Sequence, residues 1–175
     1  MGQNKALLEV AGTPLWKRQY ELLADSGAFR RLVSVRAGDD WLPAEIPRVV
    51  DDGEKGPFGG LLSALEHTTS THLIALAVDL PRMSPDWFAR LRARCAAGRG
   101  AVGQNPRIGA FEPLAAVYPR ELRTLAEEAA RSGSYCLQSL IERAVAKEIL
   151  HVEAISTADE PWFANWNTPD DVVGA

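Results

Sequence analysis

The apolar run "LIALAV" ends on a carboxylate, Asp79, and "LPRM" follows. A carboxylate closing so hydrophobic a stretch is costly to bury unless it is hydrogen-bonded, ion-paired or bound to a cation. Mg²⁺ ligation is one use for it, because hard divalent cations take carboxylate oxygens together with substrate phosphate. The structural alternative is a turn or cap ahead of Pro81. A second strand-like run, "RVV", ends on Asp51 and Asp52 and leads into "GEKGPFGG". Asp-Asp-Gly is equally ordinary turn chemistry. The glycines from Gly56 to Gly60 allow close backbone approach to a ligand and precede the helix-like "LLSALEH". A helix start there attracts anions through free N–H groups and the dipole; the alternative is a flexible connector. Lys5 is either a point charge for phosphate or an ordinary surface lysine. In "NWNTPDD", Thr168 suits an N-cap, Pro169 a first helical position and the acids a first turn. That capping role leaves Asn165 and Asn167 without a purpose. His67, His72 and His151 share no metal-ligand spacing and read as structural or surface residues. No Ser/His/Asp or Cys/His set of recognised spacing is present.

These residues need strands and helices to position them. "RRLVSV", "PRVVDD", "THLIALAVD" and "PLAAVY" are short, apolar runs suited to buried strands. "PLWKRQYELLADSG", "GGLLSALEHTT", "SPDWFARLRARCAAG" and "PRELRTLAEEAARSG" have helical length and amphipathic pattern. Pro14 and Pro85 suit first turns, Ser84 and Asp86 a cap, and Gly27, Gly98 and Gly133 helix stops. The alternation predicts a three-layer α/β domain with a mostly parallel central sheet. In such sheets ligands bind beyond the carboxyl ends of the strands, where Asp51, Asp52 and Asp79 fall.

The chain has 175 residues, enough for one core, so one domain over 1–175 is expected. Net charge is −4 and no basic block is present, so no nucleic-acid partner is expected. "LIALAV" falls far short of the ~20 residues of a membrane span. Cys95 and Cys136 are far apart and outside any CxxC spacing. This composition suits a reduced, cytoplasmic enzyme or binding protein.

Taken together, "MGQNKALLEVAGTPLWKR", "VVDDGEKGPFGGLLSAL", "ALAVDLPRMSPDWFARL", "EPLAAVY" and "FANWNTPDDV" keep the order and approximate spacing of the MobA-like nucleotidyltransferases. The chain resembles that family over nearly its whole length. The resemblance implies a Rossmann-like nucleotide-binding fold that transfers GMP from GTP to the phosphate of the molybdopterin cofactor and releases pyrophosphate. GTP, molybdopterin and Mg²⁺ are the implied ligands, with a molybdoenzyme or other cofactor-biosynthesis protein as a further partner. By motif, Lys5 looks like the lysine that contacts the GTP phosphates. Asp51 resembles the acid that contacts the nucleotide. Asp79 matches the aspartate that holds Mg²⁺ and touches the GTP. Asn165 and Asn167 match the paired asparagines of the N-x-N-T-P motif. "GPFGG" would border the pocket where the pterin approaches. Lys5 and Asp79 are thus the implied catalytic pair, consistent with a reaction that needs positioning and charge compensation more than covalent help.

Two departures are visible. The family's first strand and loop read L-A-G-G-x-S-x-R-M-G-x-x-K, and "MGQNK" supplies only the last five positions. The domain is therefore expected to lack the usual first strand and glycine-rich loop. Arg36 stands where the family often has an asparagine near the nucleotide. Cytidylyl transfer is the nearest rival activity, although "NWNTP" is more similar to the guanylyl pattern than to D-x-D-T. Transfer to a sugar phosphate or phospholactate is more distant. A non-catalytic nucleotide- or partner-binding homologue is the rival from another class.

Overall fold

The computed structural model describes residues 4–51 and 53–166. A 3₁₀ turn, Lys5–Leu7, leads through the short antiparallel pair β1 (Glu9–Val10) and β2 (Thr13–Pro14) into α1 (Leu15–Asp25). Then come β3 (Val33–Arg36), β4 (Arg48–Asp51), α2 (Gly56–His67), β5 (His72–Leu76) and α3 (Pro85–Arg94). β6 (Gly100–Gln104), β7 (Phe111–Pro119), α4 (Leu122–Arg131), α5 (Leu137–Ala146), β8 (Leu150–Ala154) and a 3₁₀ turn, Glu160–Phe163, complete the described chain.

The larger sheet has four strands in the order β5-β7-β6-β8. Alternation along β7 builds both sides of the core. Ala116 and Tyr118 face a cluster with Phe58, Leu61 and Leu65 of α2, Leu122 of α4 and Ile141 of α5. Ala115 and Val117 face the opposite cluster, with Trp87, Phe88 and Leu91 of α3. Helices therefore cover the sheet on both faces, as a three-layer α/β domain requires. The Trp87 indole N–H donates to the Ala115 carbonyl at 2.8 Å. Gly103 of β6 makes room for that indole, since a Cβ there would lie 2.6 Å from its Cζ2.

The sheet is mixed, which corrects the expectation of a mostly parallel one. β7 runs antiparallel to both β5 and β6, and β6–β8 is the parallel pair. The cause is the β6–β7 link, where Asn105 N–H donates to the Ala110 carbonyl at 2.9 Å. So short a turn makes a hairpin, whereas a parallel return needs a crossover of a dozen residues or more. β3 and β4 are parallel but form a separate two-stranded sheet. "LIALAV" also departs from expectation: among the described residues β5 pairs with β7 alone, and all five of its residues are only part-buried.

End signals hold in part. Ser84 Oγ accepts from Asp86 N–H at 3.2 Å with Pro85 opening α3, whereas Pro14 is the cap position of α1 rather than its first residue. "GPFGG" is the first turn of α2 itself, not a loop before it. Among the described residues, no helix is long and apolar enough to cross a membrane.

Candidate functional site

Lys5 belongs to the 3₁₀ turn, whose start is capped by the Asn4 side chain accepting from Ala6 N–H at 3.1 Å. Its ammonium lies 3.6 Å from Oδ2 of Asp79, with the two side chains 42% and 27% exposed. The pair is thus open enough to meet a ligand. Asp79 sits in the turn three residues beyond β5. Its carbonyl accepts from the Trp166 N–H at 3.0 Å, which ties the C-terminal segment and the exposed Asn165 to this turn.

Asp51 closes β4 and is held on both oxygens. Oδ2 accepts from the Ser34 hydroxyl and Oδ1 from the Gly53 N–H, each at 2.8 Å. α2 comes down onto this pair at Gly60, where a Cβ would lie 2.8 Å from Ser34 Oγ and 3.4 Å from Asp51 Oδ2. Arg36 stands opposite Asp51 in the β3–β4 register, its N–H donating to the Asp39 carboxylate at 2.9 Å.

A cleft of about 1460 Å³ joins these parts, with Lys5, Arg36, Asp39, Asp51 and the α2 residues Gly56 and Pro57 on its border. The structure therefore brings Lys5 to Asp79, places Lys5 and Asp51 on one cleft, and fastens Asn165 beside Asp79 through its neighbour. Asp52, Asn167 and the proposed Thr168 cap lie outside the described residues.

The C-terminal segment has its own anchor. Arg90 Nη2 lies 2.9 Å from Oδ2 of Asp159, whose side chain is 4% exposed. That oxygen also accepts from Ser156 N–H at 3.0 Å and Ser156 Oγ at 2.7 Å. Burial pushes the Asp159 carboxyl up, but the Arg90 and Ser156 contacts outweigh it and hold the group below its ordinary value. The guanidinium lies over the rings of Trp87 and Trp162, at 5.0 and 5.6 Å from their centroids.

The donor set fits Mg²⁺ of one kind. Among the described residues no group of three or more His, Cys, Asp or Glu side chains is placed to hold a metal. Mg²⁺ rarely uses such a cage; it keeps waters and takes one or two carboxylates with substrate phosphates. The part-exposed Asp79 carboxylate suits that mode.

Sequence reasoning missed the supports Ser34, Asp39, Arg90 and Asp159, and read Gly60 as room for a ligand where the close approach is to Ser34 and Asp51. Ser34 alone carried a signal, as the polar residue inside "LVSV".

Helices on both faces of a four-stranded mixed sheet, with Asp79 just past β5 and Asp51 closing β4 of the second sheet, define an α/β domain. Within that class, residues 1–149 match the family model described as the MobA-like NTP transferase domain, and the chain belongs to that family. A "Probable molybdenum cofactor guanylyltransferase" of Opitutus terrae is 33% identical, covering 98% of this chain and 86% of that protein. Two solved structures share the fold. One is molybdopterin-guanine dinucleotide biosynthesis protein A from Archaeoglobus fulgidus, with a TM-score of 0.73 and 20% identity over 99% of this chain and 89% of that one. The other is 2-C-methyl-D-erythritol 4-phosphate cytidylyltransferase from Thermus thermophilus, with a TM-score of 0.72 and 19% identity over 98% and 91%. The fold is thus shared with a protein named for molybdopterin-guanine dinucleotide biosynthesis and with one named as a cytidylyltransferase.

Proposed function

We propose that this chain transfers GMP from GTP to the phosphate of molybdopterin, releasing pyrophosphate, as a cytoplasmic enzyme of cofactor biosynthesis. The Lys5–Asp79 pair just past the carboxyl end of β5, with Lys5 bordering the cleft that Asp51 also lines, carries this reading. The name of the 33% identical relative supports the choice of guanylyl transfer.

Lys5 would set a fixed positive charge against the triphosphate. Asp79 would hold Mg²⁺, which when bound offsets negative charge on the phosphate oxygens. Asp51, held by Ser34 and Gly53, would accept from the nucleoside. Asn165 and Asn167 would supply amide groups to the same region. The α2 start, with Gly56 and Pro57 on the cleft, would face the pterin substrate. No general base is assigned, because the attacking phosphate is already ionised at neutral pH. Catalysis then rests on in-line alignment and preorganised charge.

Calorimetric titration with GTP and with CTP in excess Mg²⁺ tests this reading. GTP binding that depends on Mg²⁺ and is lost in Asp79→Ala is the expected result. Lys5→Ala should weaken binding roughly 10- to 100-fold, since a charge-assisted contact contributes about 1.5–3 kcal/mol. Preference for CTP would make the chain a cytidylyltransferase. Binding without pyrophosphate release in the presence of molybdopterin would make it a non-catalytic homologue.

A further inference from the structure

The turn that follows β5 is held from several directions. The Asp79 carbonyl accepts from Trp166 N–H at 3.0 Å, and the Leu80 carbonyl accepts from Met83 N–H at 3.1 Å. The Leu80 carbonyl takes a second bond, at 2.6 Å, from Nε2 of Gln19, a buried side chain of α1. Leu80 and Met83 are 3% and 4% exposed, and Pro81 between them is buried as well. The remaining position of this turn is Arg82, and it is exposed. A rigid turn thus gives its outward position to an arginine, three residues past Asp79.

That arginine is placed but left unpaired. Its guanidinium carbon lies 5.8 Å from the ring centroid of Trp166, itself only 5% exposed. A guanidinium can lie over an aromatic face without using up its N–H donors. Among the described residues the Arg82 side chain makes no hydrogen bond or ion pair. Neighbouring arginines are engaged: Arg90 with Asp159, Arg94 with Glu153, Arg107 with Glu160, and Arg92 with the Ser26 carbonyl. Because Trp166 is bonded to the Asp79 carbonyl, the indole also ties the guanidinium to the Asp79 turn.

The transfer of GMP proposed for this chain, on which this inference rests, needs such a group. It brings the phosphate of one substrate against the triphosphate of another, and the two anions repel unless fixed positive charge offsets them. Lys5 is already shared with Asp79, and both Lys5 and Arg36 border the cleft that Asp51 lines. Those two cations are thereby placed for the nucleotide. The attacking phosphate has no cation of its own among them. Arg82 comes to Asp79 by way of its carbonyl and Trp166, whereas Lys5 meets the carboxylate.

We propose that Arg82 binds the phosphate monoester of the acceptor substrate and holds it beside Asp79 for attack on the nucleotide. The planar guanidinium takes two oxygens of the monoester and leaves the third to attack the α-phosphorus. A new oxygen–phosphorus bond forms as the bond from the α-phosphorus to the bridging oxygen breaks, and pyrophosphate departs with that electron pair. No proton has to move. Trp166 keeps the guanidinium plane in place, and Gln19 keeps the turn that carries it.

Steady-state pyrophosphate release, with GTP·Mg²⁺ and molybdopterin varied in turn, tests this on the parent chain, Arg82→Ala and Arg82→Lys. Calorimetry with GTP, run alongside, reads the nucleotide site separately. Arg82→Ala should raise the KM for molybdopterin roughly 10-fold or more and leave GTP affinity within about twofold, as expected when one charge-assisted contact to the acceptor is lost. Arg82→Lys should recover part of the loss, because it keeps the charge and gives up the fork. An unchanged KM in Arg82→Ala overturns the proposal and leaves the guanylyl-transfer reading standing. A GTP affinity that falls as far as the molybdopterin KM rises also overturns it, assigning Arg82 to the triphosphate. A lower melting temperature with KM unmoved does the same, making the arginine a structural support for Trp166. Absence of turnover in the parent chain with GTP and with CTP overturns the transferase reading, and the proposal falls with it.

Discussion

Asp51 owes its orientation to uncharged neighbours, the Ser34 hydroxyl and the Gly53 N–H, with Gly60 leaving room for them. Ser34 donates to one carboxylate oxygen, and Gly60 lets α2 approach without striking either residue. A methyl group at Gly60 would sit 2.8 Å from the Ser34 hydroxyl, so the serine must turn away and Asp51 loses a donor. Gly60→Ala should therefore lower stability by about 1–3 kcal/mol, the usual range for overpacking, despite the better helix propensity of alanine. It should also weaken nucleotide binding several-fold, whereas Ser63→Ala, on the same helix, should leave it unchanged. Thermal unfolding and calorimetry on both variants check this. The charged members of the site were legible because carboxylates at strand ends stand out in an apolar pattern. Gly60 was not, since its role depends on how closely a helix and a strand approach.

Among elements, the segment from Ser156 to Trp166 has little regular structure and is held by discrete contacts. The Arg90–Asp159 pair fastens one end and the Trp166 N–H bond to Asp79 the other. Because the Asp159 pKa is depressed in the folded protein, the unfolded chain binds its proton first as pH falls. The stabilisation is thus fully present above the ordinary aspartate value and lost as pH drops through the lower, folded one. Asp159→Asn should cost about 2 kcal/mol at neutral pH, and the difference from the parent should shrink below about pH 4. Urea melts at about pH 7 and about pH 3, on either side of that value, read this directly. The same variant should loosen Asn165 and raise the KM for nucleotide. Helices α1 to α4 were readable from amphipathic spacing and end signals. β6 was not: "GAVGQ" holds two glycines, and its strand geometry comes from β7 and β8 on either side and from Trp87 packed on Gly103. The mixed sheet follows from a hairpin whose significance appears only when both of its strands are identified.

At the scale of the molecule, cohesion is uneven. Both core clusters are built on the four-stranded sheet, and among the described residues neither includes any from β3 or β4. Local opening free energy follows buried apolar contact. Native-state exchange on the 175-residue chain should therefore rank β6 and β7 amides slowest, with β3–β4 amides released at lower denaturant in a separate step. A single concerted step for both sheets would show that α2 couples them more strongly than its packing implies. The single-domain expectation drew on length and on a sequence without repeats or low-complexity linkers, and neither says how evenly a core is shared.

The place of β7 has a consequence for how the chain is made. Among the described residues, every strand pairing of the larger sheet involves β7 or β8, the later two of its four strands in chain order. On the ribosome, β5 and β6 emerge before either of their partners, and the nascent polypeptide holds helices and the β3–β4 pair while those two strands wait. Once residue 119 clears the exit tunnel, β7 recruits β5 and β6 together, and β8 completes the sheet after it.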